Sequence, residues 1–304
     1  MPRIGLVLGG GGITGTAFHA GVLTGLADQG WDARDAEIIV GTSAGSTAAA
    51  LMRAGLPPSD YVPRVTGDPV SAEGARVLDR VGRIPTPPAR RPGQRRPASP
   101  SLLRDIARRP WAYPLGVSFA ALLPEGTVEI DEVNPGFGPL FETWPQRPMW
   151  ITAVNLLTGR RAVFGRDAST SVALAVSASC AIPGYFRPVT IDGVAFVDGG
   201  AHSATNLDLL ADQDLDLVIV SAPLGTEDPW AAELGNIPRV PLRRQLDREV
   251  RQVRRSGTPV VVFQPDASLR RLMGLNSMDL AKRPAVARAA RHYAARRVRD
   301  GLRP

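Results

Sequence analysis

The stretch IIVGTSAGSTAAA, residues 38–50, sets an apolar run against a run of small residues, with Gly41, Thr42, Ser43, Ala44 and Gly45 between them. A strand that passes at once into a helix must turn its backbone sharply, and small residues on both sides of the turn leave room for it. The pattern is G-x-S-x-G, the nucleophile elbow. It lifts the Ser43 hydroxyl above a sheet, in a strained conformation, at the positive end of the following helix. Five letters alone suit an ordinary small-residue turn equally well. The strand signal before them and the helix signal after them are the context an elbow requires, and both are present.

A second constellation follows the first strand, Ile4 to Leu8, in the segment GGGGITG, Gly9 to Gly15. Glycines let a backbone approach a ligand closely, and the next helix points its free amides at negative charge. Gly10, Gly12 and Gly15 fit a dinucleotide fingerprint, but that motif expects an acid at the end of the next strand. Here the strand ends in Val40 and runs into the elbow. The better reading is an oxyanion hole, in which amides near Gly10, Gly11 and Gly12 hold the charge that develops when a serine attacks an acyl carbonyl. Because the two motifs end neighbouring strands, both loops open on one edge of the sheet.

A serine needs a base. The ordinary hydrolase order is Ser, then an acid, then His, and this chain has only His19, His202 and His292. His19 falls on the helix after the glycine loop, where a structural role is expected. Asp198 follows the apolar GVAFV and precedes Gly199 and Gly200, a better position from which to face a cleft. A partly desolvated carboxylate touching a serine hydroxyl can accept its proton directly. The bland alternative is a turn aspartate that caps backbone amides. The single cysteine, Cys180, has small apolar neighbours and reads as a packed thiol, and its solitude points to a reducing, cytoplasmic setting.

Strand signals at 4–8, 37–40, 149–154, 161–164, 189–197, 217–221 and 260–264 alternate with helix signals at 16–29, 45–54, 169–179, 207–212, 242–255 and 279–300. Strands separated by helices imply a mostly parallel sheet covered on both faces. In the last helix, Ala281, Ala285, Val286, Ala289, Tyr293 and Val298 are expected to share the packed face. With 304 residues and 44% hydrophobic content the chain is read as one α/β domain. A strand beginning at Arg3 leaves no room for a leader, and no run of about 18 apolar residues spans a membrane.

The net charge of +7 is local in origin. Between Arg83 and Arg109 stand Arg83, Arg90, Arg91, Arg95, Arg96, Arg104, Arg108 and Arg109 against the single acid Asp105, among six prolines. That composition predicts an extended, mobile segment. The apolar WAYPLGVSFAALLPEG follows directly. Arginines beside an aromatic and aliphatic patch suit an anionic lipid surface. A solvated linker ahead of a core helix is the competing reading. No nucleic-acid partner is expected, and the closing arginine-rich helix is read as a packing element.

In order along the chain, GGGGITG, GTSAG and DGG resemble the glycine loop, nucleophile elbow and D-G-[AG] motif of patatin-like phospholipases. The block SASCAIPGYFRPVTIDGVAFVDGG is similar to the family's approach to its aspartate. The resemblance covers Ile4 to about Leu210, apart from a variable insertion at about 57–125, and residues 212–304 complete the fold. It implies a three-layer α/β/α sandwich, a Ser43–Asp198 dyad, an oxyanion hole at Gly10, Gly11 and Gly12, and motif glycines at Gly15, Gly41, Gly45, Gly199 and Gly200. It requires no metal and no cofactor. The implied activity is hydrolysis of lipid acyl esters by a cytoplasmic or peripherally membrane-bound enzyme. The family's loop usually carries Arg or Lys where this chain has Thr14, which weakens the case for a phosphate-bearing substrate unless another arginine, such as Arg187, takes its place. Two alternatives are a Ser-His-Asp carboxylesterase using His202 or His292, and a lipid- or nucleotide-binding module without catalysis.

Overall fold

A computed structural model describes all residues except 1, 82–95, 131–136, 228–238 and 302–304. The first half of the described chain runs β1 (Ile4–Leu8), α1 (Gly12–Ala27), β2 (Ile38–Gly41), α2 (Ala44–Arg53), α3 (Tyr61–Thr66), α4 (Ala72–Val81), α5 (Pro100–Arg108), α6 (Leu115–Leu122), β3 (Met149–Asn155) and β4 (Arg161–Phe164). It continues with α7 (Val172–Cys180), β5 (Val189–Ile191), β6 (Val194–Asp198), β7 (Leu217–Ser221), α8 (Arg239–Arg255), β8 (Val260–Phe263), α9 (Ala267–Met273) and α10 (Arg283–Arg299).

The strands form one sheet in the order β5-β6-β3-β2-β1-β7-β8, with β4 also paired to β3. The run β3-β2-β1-β7-β8 is parallel, whereas β4, β5 and β6 join antiparallel. Successive residues of a strand face opposite sides, so Leu6, Leu8 and Ile39 pack into one core while Val7, Ile38 and Val40 pack into another. Helices α1, α2, α7 and α10 cover the first face, and α8 covers the second. The expected mostly parallel sheet between helical layers is therefore the fold.

The register explains where the site lies. Gly41, the last residue of β2, pairs with Ile151 of β3. Asp198, the last residue of β6, pairs with Ala153. Since β4 lies along the opposite edge of β3, β2 and β6 share one edge and approach each other end to end. Thr152 lies opposite the gap between them.

Several local expectations change. Val189 to Val197 is not one strand but a hairpin, because Asp192 and Gly193 both take positive φ, the geometry of a tight primed turn. Residues 207–210 form a single 3-10 turn rather than a helix. Helix α1 starts at Gly12, four residues earlier than expected. On α10 the buried positions are Val286, Ala287, Ala290, Tyr293, Ala294 and Ala295, while Ala281 and Ala285 are exposed. The register follows Gly21 and Gly25 of α1, which let α10 approach to backbone contact.

The segment read as extended carries a helix over Pro100–Arg108. Ser99 caps α5, and Leu102 is fully buried with Val117, Ala120 and Ala121 of α6 against Val154, Leu156 and Val197. Arg83, Arg90, Arg91 and Arg95 lie outside the described residues.

Helix α2 leaves the elbow so close to β1 that a Cβ on Gly45 would overlap the Leu8 carbonyl. Backbone cannot move aside as a side chain can. Gly45→Ala is expected to destabilise the protein by about 1–3 kcal/mol, read as a lower urea midpoint at unchanged m-value.

Candidate active site

Ser43 stands between β2 and α2 with φ 53° and ψ −119°, one of three non-glycine residues with positive φ among the described residues. Such a backbone costs on the order of 1–3 kcal/mol and persists only where its surroundings fix it. Here the Ser43 amide donates to Ser179 Oγ at 2.9 Å, the Ser43 carbonyl accepts from Ser46 Oγ at 2.7 Å, and the Thr42 amide donates to the Leu8 carbonyl at 3.0 Å. Cys180 Sγ reaches the same Ser43 carbonyl at 3.4 Å. Burial pushes that thiol up to about 12, with the Asp198 charge adding to the effect. It is a packing group, as its neighbours in sequence imply.

Asp198 is 6% exposed. Its carboxylate receives the Gly200 amide at 2.7 Å, and the Ser43 side chain stands beside it in the same cleft and acts on its titration as a second donor. Burial pushes its pKa up to about 6, against the lowering effect of those two donors. It thus does what a turn aspartate does, capping an amide, while it also faces a serine. A carboxylate of raised basicity on a hydroxyl is positioned to take a proton from it.

The glycine loop crosses above this pair. A Cβ on Gly10 would stand 3.5 Å from that of Ser43. The Gly10 amide is occupied, donating to the Ala204 carbonyl at 2.7 Å, and Gly9 donates to Ser221 at 3.0 Å. The amides of Gly11 and Gly12 have no acceptor among the described residues. Gly12, at φ 59°, begins α1 in a conformation that suits glycine. Gly15, Gly41, Gly45 and Gly199 lie behind the loop, where they allow close packing. Gly10, Gly11, Gly12, Ser43, Asp198 and Gly200 all line one cleft of about 330 Å³.

Three features of this cleft are not apparent from the motifs. Helix α6 forms one wall through Gly116, Phe119 and Ala120, and a Cβ on Gly116 would overlap the Ala201 carbonyl in the turn after Asp198. Asn206, in left-handed conformation, donates to Thr42 Oγ1 at 3.0 Å, Thr152 Oγ1 at 3.1 Å and the Ser203 carbonyl at 2.7 Å, while its own oxygen accepts from Arg161 at 3.0 Å. Buried Glu249 of α8 receives Ser203 Oγ at 2.5 Å, Thr205 Oγ1 at 2.6 Å and the Leu207 amide at 3.1 Å. Asn206 ties the elbow to the loop after Asp198, and Glu249 holds that loop. The stripe Leu242, Leu246, Glu249, Val253 at helical spacing is the sequence signal that sets Glu249 apart from a solvated charge.

Among the described residues no histidine lines the cleft. His19 is fully buried, with Nε2 2.7 Å from the Gly9 carbonyl and Nδ1 2.8 Å from Ser221 Oγ. Burial pulls its pKa down to about 4. The neutral ring donates from Nε2 and accepts at Nδ1, joining the glycine loop to β7. His202 is half-buried near Arg161 and Asp208, and His292 is exposed on α10. Arg187 does not replace the missing loop cation: it is exposed, pairs with Glu129 at 2.7 Å and is absent from the cleft.

Because the pKa of Asp198 is raised in the fold, native protein holds a proton that the unfolded chain has lost between about pH 4 and 6. Stability from this group is present below that window and falls as pH rises through it, by on the order of 3 kcal/mol. Asp198→Asn removes the cost of the buried charge while keeping an acceptor for Gly200. The variant is expected to have a higher Tm than wild type at pH 8 and no advantage at pH 4, measured by calorimetry at both values.

A model of the patatin-like phospholipase family matches residues 6–211, a span that holds both loops and Asp198. Among solved structures, VipD from Legionella pneumophila aligns with 99% of this chain and 67% of its own, at 13% identity and a TM-score of 0.49. The type III effector protein ExoU aligns with 98% of this chain and 53% of its own, at 17% identity and a TM-score of 0.39. The heterodimeric ExoU–SpcU complex from the type III secretion system of Pseudomonas aeruginosa gives 18% identity and a TM-score of 0.40, over 99% of this chain and 52% of that one. This chain thus spans about two thirds of the first and about half of the other two. With the family match covering more than half of its length, the chain belongs to the patatin-like phospholipase family, whose members are hydrolases acting on ester bonds.

Proposed function

We propose that the protein hydrolyses acyl esters of lipids through Ser43 and Asp198, by way of an acyl-enzyme. The observation that carries this reading is the buried carboxylate of raised pKa in contact with the Ser43 side chain, beneath the amides of Gly11 and Gly12. Asp198 takes the hydroxyl proton as Ser43 attacks the ester carbonyl, and the loop amides receive the developing oxyanion. Protonated Asp198 then returns the proton to the departing alcohol. Water, deprotonated by the same carboxylate, releases the fatty acid and restores the serine. A single oxyanion donor in such sites contributes roughly 2.7–4 kcal/mol to the transition state. With Gly10 donating to Ala204, that task falls to Gly11 and Gly12. The position of the histidines speaks against a Ser-His-Asp triad.

Ser43→Ala and Asp198→Ala are each expected to abolish hydrolysis of p-nitrophenyl esters and fluorophosphonate labelling, while His202→Ala and His292→Ala retain both. Asp198 must be ionised to act as base, so kcat/KM of wild type is expected to rise through about pH 6 and then level. A histidine variant without activity would turn the assignment toward a triad, and wild type inert to the probe would turn it toward a binding module.

The same reading extends to a lipid surface. Trp111 is 83% and Leu115 78% exposed, beside Phe119 and Leu122 and close in sequence to the exposed Arg104, Arg108 and Arg109. Apolar side chains that enter the acyl boundary, with cations at the head-group level, suit an anionic membrane at the mouth of the cleft. Among the described residues no helix is long and apolar enough to cross a bilayer. Removing residues 85–124 would strip buried Leu102, Val117 and Ala120 from the core, so point substitutions are the better test. Trp111→Asp with Leu115→Asp is expected to weaken co-sedimentation with phosphatidylglycerol vesicles by more than about tenfold, with hydrolysis of a soluble ester unchanged.

A further inference from the structure

The cleft around Ser43 is almost without charge. Its polar side chains are Ser43, Asp198 and Ser277, and the rest of its lining is glycine, alanine and larger apolar groups such as Phe119, Leu123, Leu224 and Leu242. Among the described residues it holds no lysine or arginine, and the one ionisable group is an acid. Several arginines on or near the elements that frame it are engaged elsewhere. Arg239 donates to the carbonyls of Pro223 at 2.8 Å and Gly225 at 3.0 Å. Arg161 pairs with Asp208 at 2.7 Å, and Arg187 with Glu129. Thr14, in the first turn of α1, is 2% exposed and outside the cleft.

A phosphate head group lies only a few bonds from the ester that would be cut. Bringing it to Ser43 means desolvating an anion, which is costly without a paired cation, and here the nearby charge has the same sign. The volume, about 330 Å³, stands at the low end of the roughly 300–1,000 Å³ of small-molecule sites. Within the ester-hydrolase reading given above, on which this step rests, we infer that the cleft is built for single-chain acyl esters whose alcohol part is uncharged. Selection against an anionic alcohol is then made at the reacting centre, while any attraction to anionic lipid is confined to the outer surface near α5 and α6.

The test compares 1-hexanoylglycerol with 1-hexanoyl-lysophosphatidic acid below their micellar concentrations, with active sites counted by fluorophosphonate titration. The two differ by one phosphate. The full chain is expected to show kcat/KM at least about tenfold higher for the glycerol ester, a ratio that corresponds to ~1.4 kcal/mol. Leu242→Arg, which adds a cation at the wall, is expected to narrow that ratio by about tenfold, a change that simple loss of folding would not produce. Equal or faster turnover of the phosphate ester by wild type overturns the inference, as does labelled enzyme that cleaves neither. Failure of Ser43 to label overturns the hydrolase reading itself, and the substrate class with it.

Discussion

The end-to-end meeting of β2 and β6 along one edge of β3 is the constraint from which the site follows. Were β6 to run parallel to β3 on that edge, its last residue would point away from the end of β2 rather than toward it. Because it runs antiparallel, its last residue arrives at Ala153 just as β2 departs at Ile151, and Ser43 and Asp198 are delivered to one point from sequence positions 155 apart. The Asp192–Gly193 turn is what reverses β6. A short hairpin far from the cleft thus decides which carboxylate faces the serine.

The gap between the two strand ends is not empty of support. Thr152 lies opposite it, and its hydroxyl meets both Thr42 and Asn206. These buried polar groups satisfy one another, so each is costly to lose and the junction is rigid. The same rigidity sustains two unfavourable features at once, a serine with positive φ and an ionisable carboxyl in a dry setting. Glu249, itself buried and held by three donors, carries the support outward to α8.

The fold is legible in the sequence and the candidate site partly so, for physical reasons. Ser43, Asp198 and the glycine loop carry local backbone requirements, which leave marks in residue type. The sheet was readable from period and from β-branched runs. Residues 189–197 read as one strand because the flanks of the two-residue turn are apolar on both sides, although Asp-Gly is itself a turn signal. Asn206 and Glu249 act through partners distant in sequence. Their roles depend on tertiary placement, although a left-handed Asn and a Glu within an apolar stripe are local hints. The helical α5 was hidden by its prolines and arginines, since the burial of Leu102 depends on α6 and β3. At the glycine loop, the engagement of the Gly10 amide by the Ala204 carbonyl is a tertiary contact that residue type does not mark.

The contact between Gly116 and the Ala201 carbonyl sets how the mouth can open. Helix α6 rests directly on the turn that follows Asp198, without even a methyl group between them. Any side chain at position 116 would press on the Ala201 carbonyl and push the helix off that turn. The missing side chain at 116 is thus the spacer that fixes how closely the wall carrying Phe119 and Leu123 sits over the floor of the cleft.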